Sequence, residues 1–599
     1  MTGPWHPDDV LAPRFQWRIP EPIAIPPTVV AAAEESGLSA LAVEILVSRG
    51  IVDPAAIRAY AAADPRAGLH DPHLLPDSTP TVARFLAARD RRESILVVGD
   101  FDADGLTGLA ILTRALRACG LAVGTYVPDR LDEGHGLSIG AVDAAQTAGA
   151  SLIITVDTGT SSLREIAESA RRGIDVIVTD HHRVGPELPV AIATVNPHRP
   201  DSSYPDRRLA GSGIALKVAQ LVTAELLGMD PLLTAARLAD LAVIGTVADV
   251  APIVGENRAI ARLGLERIRS APRPGIAAML SRAGVVPATV DLETIGFTIA
   301  PRLNAAGRVG EARDAADLLL TQDPAEAERL AEVLETANAT RRDLMRTALA
   351  EARTVVEADE ERAVVMVAGT WPVGIIGLVA GKLAEEHGRP AMVGCIAGDT
   401  IRASARGDGS VDLAAALDAS SDLLIRHGGH RGAAGFEVAV GQWEPLRDRL
   451  ATIASATTSS DERDVLAVDL ALPAGAVDHR LLAALRSLEP TGPGNPAPLI
   501  AITGLTVARV RTANGGHTQL TLKRDPDVLD AIAFGRVDLA DGLAVGDGVD
   551  IVARLGSRVF GGAETMQLEV RDIATSVGHA AGAALEAAIA RRGVVSVGS

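Results

Sequence analysis

The sequence predicts an α/β protein of several domains: a doubly wound parallel sheet, a long connecting helix, a second α/β domain and a small C-terminal β-barrel. Three observations carry this. From Ser94 to Val250, short apolar runs alternate with helical patterns, as in a parallel sheet covered on both faces. From Pro324 to Glu357, Leu and Val recur at helical spacing with no internal glycine or proline. After residue 465, short alternating runs follow one another at barrel-like spacing.

Composition agrees. A chain of 599 residues is too long for one core. Hydrophobic residues make up 47% but aromatics only 2%, so cores of small aliphatic side chains are expected. The net charge of −19 argues against wholesale non-specific nucleic-acid binding, yet leaves room for a local basic groove. Cys119 and Cys395 are the only cysteines, which excludes a disulfide framework or zinc ribbon and fits a reducing cytoplasm. No signal peptide is expected, and no apolar run approaches the roughly 20 residues of a membrane span.

In order, residues 1–90 read as an N-terminal cap. A proline-rich arm runs to about residue 35. Helical patterns follow at Leu38–Arg49, at Pro54–Ala63 with Pro54 at a first helical position, and at Thr79–Arg92. The parallel-sheet domain spans 91–255. Its strand patterns are Ser94–Val98, Leu121–Val127, Leu152–Val156, Val176–Thr179 and Ala191–Val195. Helical patterns at Ser138–Ala148, Ser162–Arg172 and Leu209–Leu227 lie between or after them. Residues 256–360 form a helical region. Its long helix would reach roughly 50 Å, unless broken near Asn338. In the second α/β domain, 361–460, strand patterns at Ala363–Ala368 and Ala391–Ile396 flank a helix opened by Trp371–Gly377. The barrel spans 465–576, with runs at Leu499–Thr503, Leu505–Arg511, Thr518–Lys523, Leu529–Phe534, Gly548–Leu555 and Thr565–Val570. Residues 577–599 read as a short helix with a loose tail.

The strand ends carry the chemistry. Asp100, Asp102 and Asp104 follow the first strand, Asp157 the third, and Asp180-His181-His182 the fourth; Asp249 follows a helical pattern. Ligands bind beyond the carboxyl ends of open parallel sheets. Carboxylates that close repel one another unless a cation sits among them. Taken singly, an Asp-x-Asp is more often a solvated turn, and Asp-His-His is as readily a helix cap with packed histidines as a ligand segment. Together they form an oxygen-rich set with one or two imidazoles, which suits Mn²⁺ or Mg²⁺ better than zinc. Two such ions about 4 Å apart can activate water and steady a leaving oxygen in phosphoryl hydrolysis.

Gly99-Asp100-Phe101-Asp102-Ala103-Asp104-Gly105, Thr155-Val156-Asp157-Thr158-Gly159, Val178-Thr179-Asp180-His181-His182 and Gly245-Thr246-Val247-Ala248-Asp249-Val250 resemble, in order and spacing, the four motifs of the DHH phosphoesterase superfamily. The resemblance implies metal ligands at Asp102, Asp104, Asp157, His181 and Asp249. It makes Asp157 the bridge between two ions, and Asp100 a further ligand or hydrogen-bond partner. It gives His182 a catalytic place beside Asp157, near the scissile phosphate, to orient a water or protonate a leaving oxygen. Asp180 would fix an imidazole.

Asn196-Pro197-His198-Arg199-Pro200, Leu209–Ala215 and Pro301–Arg308 resemble the RecJ branch, bacterial single-strand-specific exonucleases. That resemblance implies 5′-to-3′ hydrolysis of single-stranded DNA to mononucleotides with two Mn²⁺ or Mg²⁺ ions, in repair and recombination. It further implies a cytoplasmic monomer, with single-strand-binding protein and a RecQ-like helicase as the family's expected partners. Two loops, one with Ser404 and Arg406 and one at Gly428–Phe436 with His430 and Arg431, look like the DHH-associated domain facing the metal site. With Arg130 and Arg308 they would hold a terminal 5′-phosphate, which an arginine fork binds in pairs of oxygens. A lone glycine-rich loop is weak evidence, and Arg130 or Arg308 is as readily a surface ion pair, whereas Arg406 favours the phosphate. The barrel resembles an oligonucleotide-binding (OB) domain, with His517, Lys523, Arg524, Phe534, Arg536, Arg554 and Arg558 as candidate strand contacts. Two rivals are a DHH phosphatase for very short oligonucleotides or cyclic dinucleotides, and a catalytically silent scaffold. The extra barrel and cap argue against the first, and the intact acids and His181-His182 against the second.

Overall fold

The computed structural model describes residues 11–595, apart from Pro22, 63–67, Leu131, 357–362, 458–463, 561–562 and 577–580. The chain divides into two compact units, residues 69–460 and residues 1–68 with 461–599.

The larger unit contains five parallel strands: β1 (Ser94–Gly99), β2 (Ala122–Tyr126), β3 (Ala150–Val156), β4 (Asp175–Thr179) and β5 (Ala193–Val195). Their order is β2-β1-β3-β4-β5. The side-chain period explains the nearly continuous apolar runs. Ile95, Val97, Leu152, Ile154 and Ile177 enter one core, while Leu96, Val98, Ile153, Val176 and Val178 enter another on the opposite face. β1, β3 and β4 are therefore buried on both sides, whereas the edge strand β2 stays partly open to solvent. In this order the topological switch lies between β1 and β3, and the acidic segments leave those two strands.

Helices α1 (Ala103–Ala118), α2 (Gly211–Leu227) and α3 (Pro231–Ala248) contribute to the first core. By length and composition α3 is apolar enough to cross a membrane, but 61% of it is buried within the protein, as befits a helix hydrophobic on all sides. A fully buried ion pair ties distant segments of this unit together. Lys217 Nζ on α2 lies 2.9 Å from Glu256 Oε1, both side chains being 0% exposed. Tyr204 Oη donates to Glu256 Oε2 at 2.6 Å, and the His70 amide donates to Oε1 at 3.1 Å.

A helix runs from Leu292 through a π segment, Ile295–Ile299, into α4 (Ala300–Val309). The long helix α5 (Pro324–Val356) is a continuous 33 residues, with Asn338 buried in mid-course. It leads to β6 (Val365–Gly369), α6 (Val373–His387) and a sheet completed by β7 (Ala391–Ala397), β8 (Thr400–Arg406), β9 (Leu424–His430) and β10 (Ala433–Ala439). The order is β9-β10-β8-β7-β6. The two loops read in the sequence are thus strands: Ser404 and Arg406 lie on β8, and the glycine-rich segment is the β9–β10 hairpin.

In the smaller unit, β12 (Ile500–Ala513), β13 (His517–Arg524), β14 (Asp527–Ala533), β15 (Gly548–Phe560) and β16 (Ala563–Thr575) form a closed five-stranded barrel. Pairing of β15 with β12 closes it, and β11 (Leu470–Leu472) adds in parallel to β12. The runs expected as separate strands before and after Gly504 are one strand. Its register shifts between Ile502 and Leu505, around Gly504 at φ +63°, as at a bulge.

The stretch 1–90 is not one cap. Helices Pro27–Glu35, Ala40–Ser48 and Pro54–Ala61 share the barrel's core, whereas Phe85 and Ala88 of helix Ser78–Arg91 join the parallel-sheet core. The expected arm also contains order. Gln16–Arg18 pairs with Val465–Ala467, and Trp17 Nε1 donates to buried Asp572 Oδ2 at 2.7 Å. Residues 1–10, part of the acidic spacer near 459–464, and both ends of the 577–599 tail lie outside the described residues; helix Gly582–Val595 lies between those ends.

Replacing Lys217 with Met strands a buried carboxylate at Glu256. The 69–460 unit should lose about 3–5 kcal/mol, read as a lower urea midpoint. Adding Glu256→Gln should restore most of that loss, because the amide carries no charge to leave unpaired.

Candidate active site

Local structure fixes each acid. Asp102 caps α1, its Oδ1 accepting from the Asp104 and Gly105 amides at 2.9 and 3.1 Å. Asp104 is buried in the first turn of the same helix. Its two oxygens accept from the Gly211 and Ser212 amides at 2.6 and 2.9 Å, the first two free N–H groups of α2, where negative charge is favoured. That approach requires glycine: a Cβ on Gly211 would fall 2.5 Å from Asp157 Cβ. Gly245 of α3 is equally constrained, since its Cβ would meet Asp104 Oδ1 at 2.3 Å. Asp157 ends β3 at φ +59°, a left-handed conformation that Asp tolerates better than most residues. Asp249 caps the C-terminus of α3, so it arrives from a helix end while Asp100, Asp157 and Asp180 arrive from strand ends.

These residues converge. His181 Nε2 lies 3.0 Å from Asp157 Oδ1 and 4.0 Å from Asp104 Oδ2, and its Nδ1 lies 3.9 Å from Asp249 Oδ2. Three overlapping sets, Asp157-His181-His182, Asp104-His181-Asp249 and Asp100-Asp102-Asp157, each bring potential ligand atoms within 4.8 Å of one another. Every metal candidate of the sequence is among them, and Asp157 belongs to two sets. Asp100 Oδ1 and Asp157 Oδ1 are buried and accept no hydrogen bond among the described residues, although His135 Nδ1 and His181 Nε2 stand 3.2 and 3.0 Å away. A buried carboxylate oxygen without a donor is costly, and a cation is the partner that satisfies several at once. Oxygen donors with one or two imidazoles fit Mn²⁺ or Mg²⁺.

Electrostatics point the same way. Burial, reinforced by Asp104, Asp102, Asp100 and Asp180, pushes Asp157 well above the usual carboxylate range. Burial likewise raises Asp100 and Asp104, and with Asp104 and Asp102 nearby it lifts Asp249 to about 8. Burial lowers His181, favouring the neutral imidazole that a ligand must be. Asp180 differs. Burial would raise it, but His182 Nδ1 at 2.8 Å and the amides of Thr160 and His182 hold it at about 2. The same hydrogen bond lifts His182 to about 9. Because ionised Asp180 can only accept, Nδ1 of His182 donates to it, and a ring raised this far also keeps a proton on Nε2 at neutral pH.

A cleft of about 810 Å³ runs from Asp157 and His182 to β8 and the β9–β10 hairpin. Ala403 and Ala405 of β8 are buried in the core, so Arg402, Ser404 and Arg406 share the face lining the cleft. Arg130 stacks over Phe101 at 4.6 Å, and Arg308 Nη1 donates to the Gly374 carbonyl at 2.9 Å. Among the described residues, Arg130, Arg308 and Arg406 form no salt bridge. Burial lowers all three, Arg308 to about 9, and neighbouring guanidiniums deepen the shift. Unpaired cations crowded in an acidic chain are arranged for an anion. His430 lines the cleft. Arg431 does not: it is exposed and donates Nε to the Gly409 carbonyl at 2.7 Å.

Several contributors escaped the sequence reading. His135 borders the cleft, with Nδ1 3.2 Å from Asp100, but a lone histidine between glycines carries no diagnostic spacing. The segments read only as family signatures now have physical roles. Asn304 Oδ1 accepts the Ala103 amide at 2.8 Å. Asn196 Nδ2 ties Thr160 Oγ1 to the His182 carbonyl at 3.0 and 2.9 Å, and Gly211-Ser212 hold Asp104. In the barrel, Arg536, Arg554 and Arg558 have acidic neighbours.

Comparison with known proteins agrees with this geometry. The DHH family N-terminal domain matches residues 94–246 and the RecJ OB domain residues 468–572. The single-stranded-DNA-specific exonuclease RecJ of Bacillus subtilis is 34% identical over 574 residues, 95% of this chain and 72% of that protein. Its counterpart in Thermus thermophilus is 36% identical over 430 residues, 72% of this chain and 62% of that protein. The crystal structure of Thermus thermophilus RecJ in complex with Mn²⁺ superposes with a TM-score of 0.77 at 29% identity, covering 94% of this chain and 79% of that one. With the acids at the switch point, the closed barrel and this similarity along most of its length, the chain belongs to the RecJ family.

Proposed function

We propose that the chain removes mononucleotides from the 5′ end of single-stranded DNA, in repair and recombination. The carrying observation is that the overlapping ligand sets around Asp157 border the same cleft as three unpaired arginines. Asp100, Asp102, Asp104, Asp157, His181 and Asp249 would hold two Mn²⁺ or Mg²⁺ ions, Asp157 being common to two of the ligand sets. When bound, such ions supply a water of lowered pKa and stabilise charge on the leaving oxygen. Arg130, Arg308, Ser404 and Arg406 receive the terminal phosphate, and His430 lines the adjoining wall. That anchoring sets the scissile bond over Asp157. His182, its ring fixed by Asp180, holds a proton at Nε2 for a phosphate or leaving oxygen. Action as a cytoplasmic monomer, on strands supplied by a single-strand-binding protein and a RecQ-like helicase, belongs to the same reading.

Asp157→Asn keeps a residue that tolerates the left-handed backbone but removes the shared charge. Hydrolysis of labelled single-stranded DNA with Mn²⁺ should fall well over a hundredfold, beyond the roughly 10- to 100-fold cost of losing a partner outside a ligand set. Mn²⁺ binding by calorimetry should weaken in parallel while circular dichroism is unchanged; full activity would refute the shared role.

Arg308→Gln or Arg406→Gln should raise KM for a 5′-phosphorylated strand roughly tenfold or more. A 5′-hydroxyl strand should change little, so the variants lose end preference. Equal loss on both strands would refute a terminal-phosphate pocket.

A further inference from the structure

Phe297 is 83% exposed in a chain with seven phenylalanines. Single exposed apolar side chains are ordinary, and Val190, at 88%, needs no explanation. The surroundings of Phe297 are different. It sits in the π segment Ile295–Ile299, which runs without a break into α4. Such segments re-phase the side chains of a helix and recur at functional sites. The following α4 carries Asn304, bonded to the Ala103 amide of the acidic motif, and Arg308 of the anion cleft. On its other side, a Cβ on Gly296 would lie 3.4 Å from Val247 Cγ1, two residues before Asp249. Next to Asp249 stands Val250, 66% exposed and at φ +58°. A β-branched residue rarely adopts that conformation, and strain of this kind clusters where substrates bind. The segment that carries exposed Phe297 therefore packs near the end of α3 that presents Asp249, and that end carries a second uncovered apolar side chain, Val250.

Asp249, with a side chain 35% exposed, is not among the residues lining the arginine cleft. If the terminal phosphate occupies that cleft, the rest of the strand leaves across the acids. From Arg308 back to Phe297 is eleven residues, about 16 Å along a helix at 1.5 Å per residue. That exceeds the roughly 3.4 Å spacing of stacked nucleotides several times over. We propose that Phe297 is a stacking platform for a base on the 3′ side of the scissile phosphate. The ligand is a nucleobase of an unpaired strand, read by its π face without sequence preference. The inference rests on the nuclease reading and adds to it a binding element outside the cleft and outside the barrel.

The test compares a 5′-phosphorylated single strand of about 20 nucleotides with a 5′-phosphorylated dinucleotide, which ends short of Phe297, both with Mn²⁺. Phe297→Ala should raise KM for the long strand about tenfold, keep kcat within about twofold, and leave dinucleotide hydrolysis unchanged. Phe297→Trp should restore the KM. An abasic unit a few positions from the 5′ end should raise KM for the parent enzyme but not further for Phe297→Ala. An unchanged KM on the long strand, or an equal loss on the dinucleotide, overturns the platform. If the parent enzyme degrades neither substrate, the nuclease reading falls instead, a result distinct from both.

Discussion

Mutual repulsion among buried carboxylates is the constraint on which this structure turns. Asp100, Asp104 and Asp157 are almost wholly removed from water, and Asp102 and Asp249 stand beside them. No arrangement of neutral side chains makes such a cluster stable while it is ionised. The fold nonetheless assembles it from strand ends, a helix start and a helix end. The amides at the head of α2 offset part of the charge on Asp104. Among the described residues, one buried oxygen each of Asp100 and Asp157 accepts no hydrogen bond of good geometry, and cations would complete the cluster.

The same logic, with the sign reversed, governs the opposite wall. Arg130, Arg308 and Arg406 lie close enough to repel one another, and Asp100 and Asp102 offset only part of the cost of burying them. A phosphate group that meets the cations of one wall and metal ions on the other relieves both clusters at once. Small residues make the cleft possible. Gly374 and Gly377 of α6 lie against Arg308 and Arg406, and the hairpin opposite contributes Gly428, Gly429 and Gly435. A Cβ at Gly374 would strike the Arg308 carbonyl oxygen at 2.3 Å, and one at Gly377 would crowd the Arg406 guanidinium at 3.0 Å.

Much of this was legible because the period-2 burial of β1, β3 and β4 leaves apolar runs that end abruptly in acid. The acids at the strand ends and both histidines of the Asp-His-His segment could be read that way, whereas the arginines of the cleft came from the resemblance to the DHH superfamily. What escaped depends on tertiary context. Ala403-Ser404-Ala405-Arg406 lacks the β-branched residues that mark a strand, and only pairing with β7 and β10 makes it one. Gln16–Arg18 becomes a strand through Val465–Ala467, hundreds of residues away. Arg431 looked equivalent to His430, yet neighbouring residues beside a tight turn face different surroundings. Asn196, Asn304 and Gly211-Ser212 act through hydrogen bonds to residues far away in the sequence, which no spacing rule encodes.

Anomalous diffraction at the manganese edge, from crystals grown with Mn²⁺, tests the central claim most directly. Two peaks about 4 Å apart, both within coordination distance of the Asp157 carboxylate, are predicted. A lone peak remote from Asp157, or none, would contradict it.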